Sequence, residues 1–230
     1  MISIVIPIYN TEPSLFADCM ESVYNQTFQD FEVVVVDNGS EQSKIDEYLK
    51  ICDNPKVRFL NSERLEGAKN ISIALNKGVL NSQFELIGRM DSDDLMHQDR
   101  LRKQFDFFRN EDVDILGGQI AFIGSGRIKS HPPVVDIDYC LRNNWVMNHP
   151  TVMFKKQKIV DIGLYRDKPN YLPEDFELWA RCLSKGYTIK NLQEVLVFYR
   201  LLEDSQSKQD MQNINYNAIF AHIRKINFKV

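Results

Sequence analysis

Phe31-Glu32-Val33-Val34-Val35-Val36-Asp37-Asn38-Gly39-Ser40 sets the class of this chain. Its unbroken valine run suits a strand covered on both faces, as in a parallel sheet flanked by helices. A strand with one wet face would alternate instead. The run stops at Asp37-Asn38-Gly39-Ser40, a turn composition, and Glu41–Ile51 then carries a helical pattern. Upstream, Ile2-Ser3-Ile4-Val5-Ile6 is a second short strand closed by Pro7. Pro13 opens a helix in which Leu15, Phe16, Cys19, Met20, Val23 and Tyr24 recur at helical spacing. Downstream, Lys56–Leu60 reads as a strand, Gly67–Leu80 as a helix and Phe84–Met90 as a strand. Such alternation predicts βαβ units and an α/β fold on a mixed, mostly parallel, Rossmann-like sheet flanked by helices.

The strand Phe84–Met90 runs straight into Asp91-Ser92-Asp93-Asp94. Hard oxygen ligands in this number suit Mg²⁺ or Mn²⁺ with a phosphate completing the shell, better than a closed protein cage. The competing reading is an acidic N-cap for a helix predicted over Met96–Asn110. An EF-hand is excluded, because Leu95 stands where an oxygen ligand belongs and no Gly follows. Parallel strands gather their C-terminal loops at one sheet edge, so Pro7–Asn10, Asp37–Ser40 and Asp91–Asp94 are expected to be neighbours.

The chain has 230 residues, 43% hydrophobic and 26% charged, enough for one large α/β domain. A formal net charge of −4 argues against a nucleic-acid binder and toward a small-molecule partner. No signal-peptide pattern and no run of membrane-spanning length stands out, so the body of the chain is expected to be cytoplasmic. Cys19, Cys52, Cys140 and Cys182 are far apart, form no C-x-x-C pair and read as core thiols.

Beyond Asp94 the pattern changes. Asp112–Ile123 reads as a strand leading through Gly124-Ser125-Gly126 into Arg127–Ser130, a hairpin signal, and Val152–Phe154 is another short strand. Asp175–Leu183 reads as a helix preceded by acidic residues, and Val195–Leu201 as a β-rich run. Residues 208–230 form a tail with Ile214, Ile219, Phe220, Ile223 and Ile226 beside Lys208, Arg224, Lys225 and Lys229. It is expected to be an amphipathic helix, packed on the domain or resting peripherally on an anionic membrane.

The ordered motifs Ile2–Asn10, Val36–Ser40, Arg89–Asp94, His149–Phe154 and Pro173–Trp179 together resemble the family-2 glycosyltransferases of GT-A fold, of the bacterial surface-polysaccharide type. They match the family's opening strand and loop, V-D-D-G-S, R-x-D-x-D-D, H-P-S/T-V-M-F and E-D-x-x-L-W patterns. The resemblance runs from Met1 to about Ser207. It implies one domain over residues 1–207, with a nucleotide-sugar half (1–95) and an acceptor half (96–207).

The resemblance also implies a metal-dependent inverting transfer from a nucleotide-sugar donor, with uridine as its nucleoside, to a hydroxyl of a glycan or lipid-linked acceptor. Pro7, Tyr9 and Asp37 would grip base and ribose, Asp91 the ribose or sugar, and Lys69 the nucleotide. Asp93 would ligate Mn²⁺ or Mg²⁺ bridging the phosphates, while Asp94 supports the turn or the sugar hydroxyls. Asp175 would be the base, with Glu174 orienting the acceptor and the reverse assignment left open. His149 would line the site. The chain departs from the family in having Asn38 for an aspartate, Lys69 for an arginine and Leu202 for a histidine of the closing loop, a role that Arg200 could assume. On the residues alone, Asp37 also suits an Asx-turn, Lys69 a solvated helix lysine, and Glu174-Asp175 the positive end of a helix dipole.

Two other functions fit a Rossmann-like sheet. A sugar-phosphate nucleotidyltransferase needs a Gly- and Arg-rich first loop for a triphosphate, which Pro7-Ile8-Tyr9-Asn10 does not offer. A catalytically silent sugar- or partner-binding module would not need Asp91, Asp93 and Asp175 together.

Overall fold

A computed structural model describes residues 1–66, 68, 70–167, 173–201 and 216–229. Strands β1 (Ile2–Ile8), β2 (Phe31–Asp37), β3 (Val57–Asn61) and β4 (Leu86–Arg89) lie in the spatial order β3-β2-β1-β4, all parallel. Every residue of β1 and β2 is buried, as expected for strands covered on both faces. Helices α1 (Pro13–Tyr24), α2 (Gln42–Ile51) and α3 (Asn70–Asn81) make the crossovers. Pro13 stands at the start of α1, where a missing N–H costs nothing, and Phe16, Cys19, Met20 and Val23 are its buried stripe. Gly78 lets α3 close on the sheet: a Cβ there would lie 2.3 Å from a methyl of Val5.

The second half of the chain extends the same sheet. Strands β5 (Leu95–Met96), β6 (Ile115–Phe122), β7 (Ile128–Lys129), β8 (Val134–Val135), β9 (Met153–Lys155) and β10 (Ile189–Tyr199) continue the order as β4-β9-β6-β10-β5. Strand β7 forms the expected hairpin with β6, and β8 pairs with β10. Strand β9 runs antiparallel between β4 and β6, stitching the halves together, and β6 and β10 are parallel.

The predicted helix over Met96–Asn110 starts later, as α4 (Arg100–Asn110). Leu95–Met96 is instead captured by Val197–Phe198 of β10, and the Met96 N–H donates to Ser22 Oγ at 2.9 Å. The acidic run therefore does not cap α4, which excludes the cap reading. The remaining helices are α5 (Ile137–Arg142), α6 (Lys156–Asp161), α7 (Glu174–Ser184) and α8 (Tyr216–Phe228).

Helix α8 turns its apolar face inward. Phe220 is buried with its ring 4.6 Å from that of Phe176 and 5.5 Å from that of Trp145, and Ile223 is buried beside it. Arg224 donates to the carbonyls of Cys140 and Asn143 at 3.0 and 2.8 Å, fixing α8 to α5. Ile214 and Lys208 lie outside the described residues. The four cysteines are free and buried. Among the described residues no helix is long and apolar enough to cross a membrane.

Candidate active site

Because β1, β2 and β4 are parallel, their C-terminal loops meet at one edge. The Asn10 N–H donates to Ser40 Oγ at 2.8 Å, the hydroxyls of Thr11 and Ser92 are 2.7 Å apart, and the Cys19 thiol donates to the Asp91 carbonyl at 3.2 Å. A cleft of about 620 Å³ opens there, and Pro7, Tyr9, Asp91, Asp93, His149, Glu174 and Asp175 all line it. Seven of the residues singled out from sequence thus share one cavity.

Three others do not line it. Asp37 is 2% exposed, and its carboxylate accepts from the N–H groups of Gly39 at 3.0 Å and Ser40 at 3.2 Å. Gly39 has φ +81°, so the carboxylate closes an Asx-type turn whose left-handed position suits glycine. Asp94 is buried under the loop and accepts from the Arg200 N–H at 2.8 Å. The Arg200 guanidinium reaches back to Asp18 at 2.7 Å. Lys69 and Leu202 lie outside the described residues.

The carboxylates of the acidic loop are held differently. Arg89, the last residue of β4 and 4% exposed, donates to Asp91 Oδ2 at 2.6 Å and contacts its other oxygen as well. Asp93 forms no ion pair among the described residues, and burial, then the charge of Asp91, raises its pKa. Burial and the charges of Asp91 and Asp93 push Asp94 up as well. Its Oδ2 is buried with no hydrogen-bond partner among the described residues.

Crowded, partly desolvated carboxylates of this kind are relieved by a cation. Among the described residues no three His, Cys, Asp or Glu side chains converge as a ready-made metal cage. A hard cation on the Asp93 wall would thus share its shell with ligand oxygens, and this donor set fits such an arrangement.

The first turn of α7 also lines the cleft. Phe176, Leu178 and Trp179 are buried in the core, which fixes the first turn carrying Glu174 and Asp175. Arg181 anchors the same helix, paired with Glu177 at 2.7 Å. Asp175 is 9% exposed and its Oδ1 accepts from the Phe176 N–H at 2.7 Å. Burial, reinforced by the charge of Glu174, pushes the Asp175 carboxyl up to about 7. His149 shares a 3.0 Å hydrogen bond with the Tyr165 hydroxyl, and burial holds its pKa well below the usual histidine range. It is a neutral, wall-forming group. The Trp179 ring, 1% exposed, meets the His149 ring edge-on at 6.0 Å, a packing contact.

Several residues of the site carry no sequence pattern that marks them. Arg64 lays its guanidinium 3.8 Å over the Tyr9 ring and donates to Asn38 Oδ1 at 3.3 Å; its loop after β3 has no periodicity. Arg100, wholly buried, donates to the carbonyls of Arg89 at 2.7 Å and Pro150 at 2.8 Å, tying the end of β4 to the turn His149–Thr151. Arg127 and Lys129 line the cleft from the hairpin. Arg89 lies within the quoted acidic motif, and only the fold shows what it grips.

A parallel βαβ half, an acidic loop at the end of β4 and a second carboxylate pair lining the same cleft fit a glycosyltransferase of GT-A architecture. The fold matches that of S. aureus TarS in complex with UDP-GlcNAc, with a TM-score of 0.74 and 16% identity over 99% of this chain and 73% of that one. Residues 3–162 match Glycosyl transferase family 2, and the chain belongs to that family. It is 30% identical over 217 residues to the amylovoran biosynthesis glycosyltransferase AmsE of Erwinia amylovora, covering 91% of this chain and 79% of that protein. It is 31% identical over 216 residues to the UDP-Gal:alpha-D-GlcNAc-diphosphoundecaprenol beta-1,3-galactosyltransferase of Escherichia coli, covering 90% and 76%. The expected family, the α/β GT-A fold and the glycosyltransferase class are therefore established.

Proposed function

We propose that the protein transfers a sugar, with inversion, from a UDP-sugar to a hydroxyl of a glycan or lipid-linked acceptor in bacterial surface-polysaccharide assembly. The observation that carries this reading is that two carboxylate pairs from separate elements, Asp91 and Asp93 after β4 and Glu174 and Asp175 at the start of α7, line one cleft. The relatives, an amylovoran biosynthesis enzyme and a UDP-Gal-dependent transferase, support the pathway and the donor.

Pro7 and Tyr9 would seat the base, and Arg64 offers a planar donor group beside it. Asp37 shapes the turn that carries Asn38 and would reach a nucleoside only by exchanging its turn hydrogen bonds. Lys69 keeps the nucleotide-binding role implied by the family motif. Asp91, oriented by Arg89, would accept from ribose or sugar hydroxyls. Asp93 would hold Mn²⁺ or Mg²⁺ together with the diphosphate. When bound, the cation offsets the charge that builds on the leaving diphosphate. Asp94, hydrogen-bonded to the Arg200 N–H, keeps the loop in place, and His149 walls the cavity.

In the transfer, the acceptor oxygen attacks the anomeric carbon from the face opposite the nucleotide. The carbon–oxygen bond to phosphate breaks, its electron pair leaves with UDP, and the acceptor proton passes to Asp175. A carboxyl poised near neutrality suits that task. Glu174 orients the acceptor. Direct displacement needs no protein nucleophile. The enzyme would work at the cytoplasmic face of the membrane, touching it through surfaces other than the buried face of α8.

The test is release of nucleoside diphosphate from a panel of nucleotide-sugars with Mn²⁺ and candidate acceptor glycans. Turnover with a UDP-sugar, absent in Asp175→Asn, is expected. Binding of donor without release from any sugar and acceptor would point to a silent module.

A further inference from the structure

Leu164 is a non-glycine residue in the left-handed region, at φ +60°. A side chain is strained there, and such a residue persists only where its surroundings impose it. Two elements do so here. Arg181 of α7 donates to the carbonyls of Ile162 and Leu164, the latter at 2.7 Å. Asn76 of α3 brackets the next residue: its Oδ1 accepts from the Tyr165 N–H at 2.9 Å, and its Nδ2 donates to the Tyr165 carbonyl at 2.7 Å. What this clamped turn presents is the Tyr165 hydroxyl, 3.0 Å from His149 Nε2.

That contact decides where the imidazole proton sits. Tyr165 is 2% exposed, and burial raises its pKa, so the phenol keeps its proton. Among the described residues His149 Nε2 is the one partner of this hydroxyl, and a buried O–H donates to the acceptor within its reach. Nε2 therefore accepts. His149 is neutral, burial holding its pKa well below the usual range, so its ring proton is on Nδ1. Nδ1 forms no hydrogen bond among the described residues, and His149 lines the cleft while Tyr165 does not. A largely desolvated N–H without a protein acceptor is left for a ligand. We infer that His149 donates its Nδ1–H to an oxygen of the transferred sugar, and that Tyr165 is the positioning residue that fixes the donating tautomer. This rests on the reading of Asp91 and Asp93 as the donor side and Asp175 as the base. The transferred sugar lies between those groups, and His149 neighbours both, through the charge of Arg89 and through Trp179 of α7. A neutral donor suits a hydroxyl or ring oxygen there. A sugar that offers no oxygen at this point leaves the N–H unpaired, so the contact discriminates among donors.

The tautomer is read without any ligand. Long-range ¹H–¹⁵N correlation spectra of the ¹⁵N-labelled protein distinguish a protonated ring nitrogen from a bare one, and the chain has four histidines, with His149→Asn assigning the signal. Wild type is expected to hold the proton on Nδ1. Tyr165→Phe keeps the ring and removes the hydroxyl, and the proton should then be found on Nε2 as well. A proton on Nε2 in wild type, a charged ring at neutral pH, or a tautomer that Tyr165→Phe leaves unaltered overturns the inference.

The sugar contact is read by calorimetric titration in Mn²⁺, comparing UDP with the tightest of UDP-galactose, UDP-glucose and UDP-N-acetylglucosamine. In His149→Asn the new amide places an N–H near the position of Nδ1, and in His149→Gln near that of Nε2. His149→Gln should weaken the sugar nucleotide roughly tenfold, the loss expected when a polar group goes unpaired, with UDP affinity unaltered, and His149→Asn should lose much less. UDP binding by each variant also shows that it is folded. Equal losses in the two variants, no loss in either, or a loss just as large for UDP overturns the sugar contact. If UDP and Mn²⁺ do not bind the wild type, the donor reading falls and the sugar contact with it, while the tautomer stands or falls on its own spectrum.

Discussion

Arg89 grips Asp91 from beneath, with 2.6 Å between its Nη1 and Asp91 Oδ2, while Asp93, two residues further on, forms no ion pair among the described residues. That asymmetry divides the acidic run. The paired carboxylate is fixed in direction and suits hydroxyl groups, and the proposed function gives the crowded one to a cation. Replacing Arg89 with Gln should destabilise the protein by about 1–3 kcal/mol in urea unfolding, because Asp91 keeps its charge without its partner. Arg89→Gln with Asp91→Asn should recover most of the stability and none of the activity. Recovered activity would show that the pair is only structural.

The pH profile follows from Asp175. Its pKa is raised to about 7 by burial and then by Glu174, and a base works only when deprotonated. Turnover at saturating substrate should therefore rise with pH through about 7 and level off above it. Glu174→Gln removes a like charge and should move that midpoint down. If Glu174 were the base, the same variant would abolish transfer. The shift also has a stability consequence: the folded pKa lies above the ordinary 3.8, so the folded state holds the proton more tightly. Its contribution is fully present below about 3.8 and is lost as pH rises through about 7.

Arg64 and Tyr9 stack on each other where they line the cleft, and the proposed function seats the base there. Arg64→Ala removes the planar donor, and calorimetric titration with UDP should show affinity falling by about 1–2 kcal/mol. Transfer at saturating donor should change much less. Unaltered UDP affinity would place the base elsewhere in the cleft.

Helix α8 braces the wall that carries the proposed base, since Phe220 packs edge-on against Phe176, the residue after Asp175. Phe220→Ala should cost about 3–5 kcal/mol of unfolding free energy. Its effect on turnover should follow the loss of folded protein, measured by comparing active fraction with circular dichroism.

The parallel half was legible because its signals are local. The valines of β2 and the isoleucines of β1 are buried on both faces, and Pro13 begins α1 where its ring permits. What escaped depends on long-range pairing. Met96 opens the predicted helix, yet β10 claims it and Leu95 from about a hundred residues away, so α4 begins only at Arg100. Strand β8 is two residues long and exists only because β10 offers an edge. The acidic loop, His149 and Glu174-Asp175 were legible as motifs, and the cleft does bring them together. The inward turn of Asp37 and the cations Arg64, Arg89, Arg127 and Lys129 were not, because a charged residue in sequence does not reveal what it faces.

The central claim is that Asp93 holds a divalent cation beneath the donor diphosphate. It is tested most directly by the melting temperature with UDP, in Mn²⁺ or in chelator, for wild type and Asp93→Asn. A ligand that binds only the folded state raises the melt in proportion to its affinity. The account predicts a clear upward shift for wild type with UDP and Mn²⁺, lost in chelator and lost in Asp93→Asn. An equal shift with UDP in chelator, or an Asp93→Asn protein that responds like wild type, would contradict it.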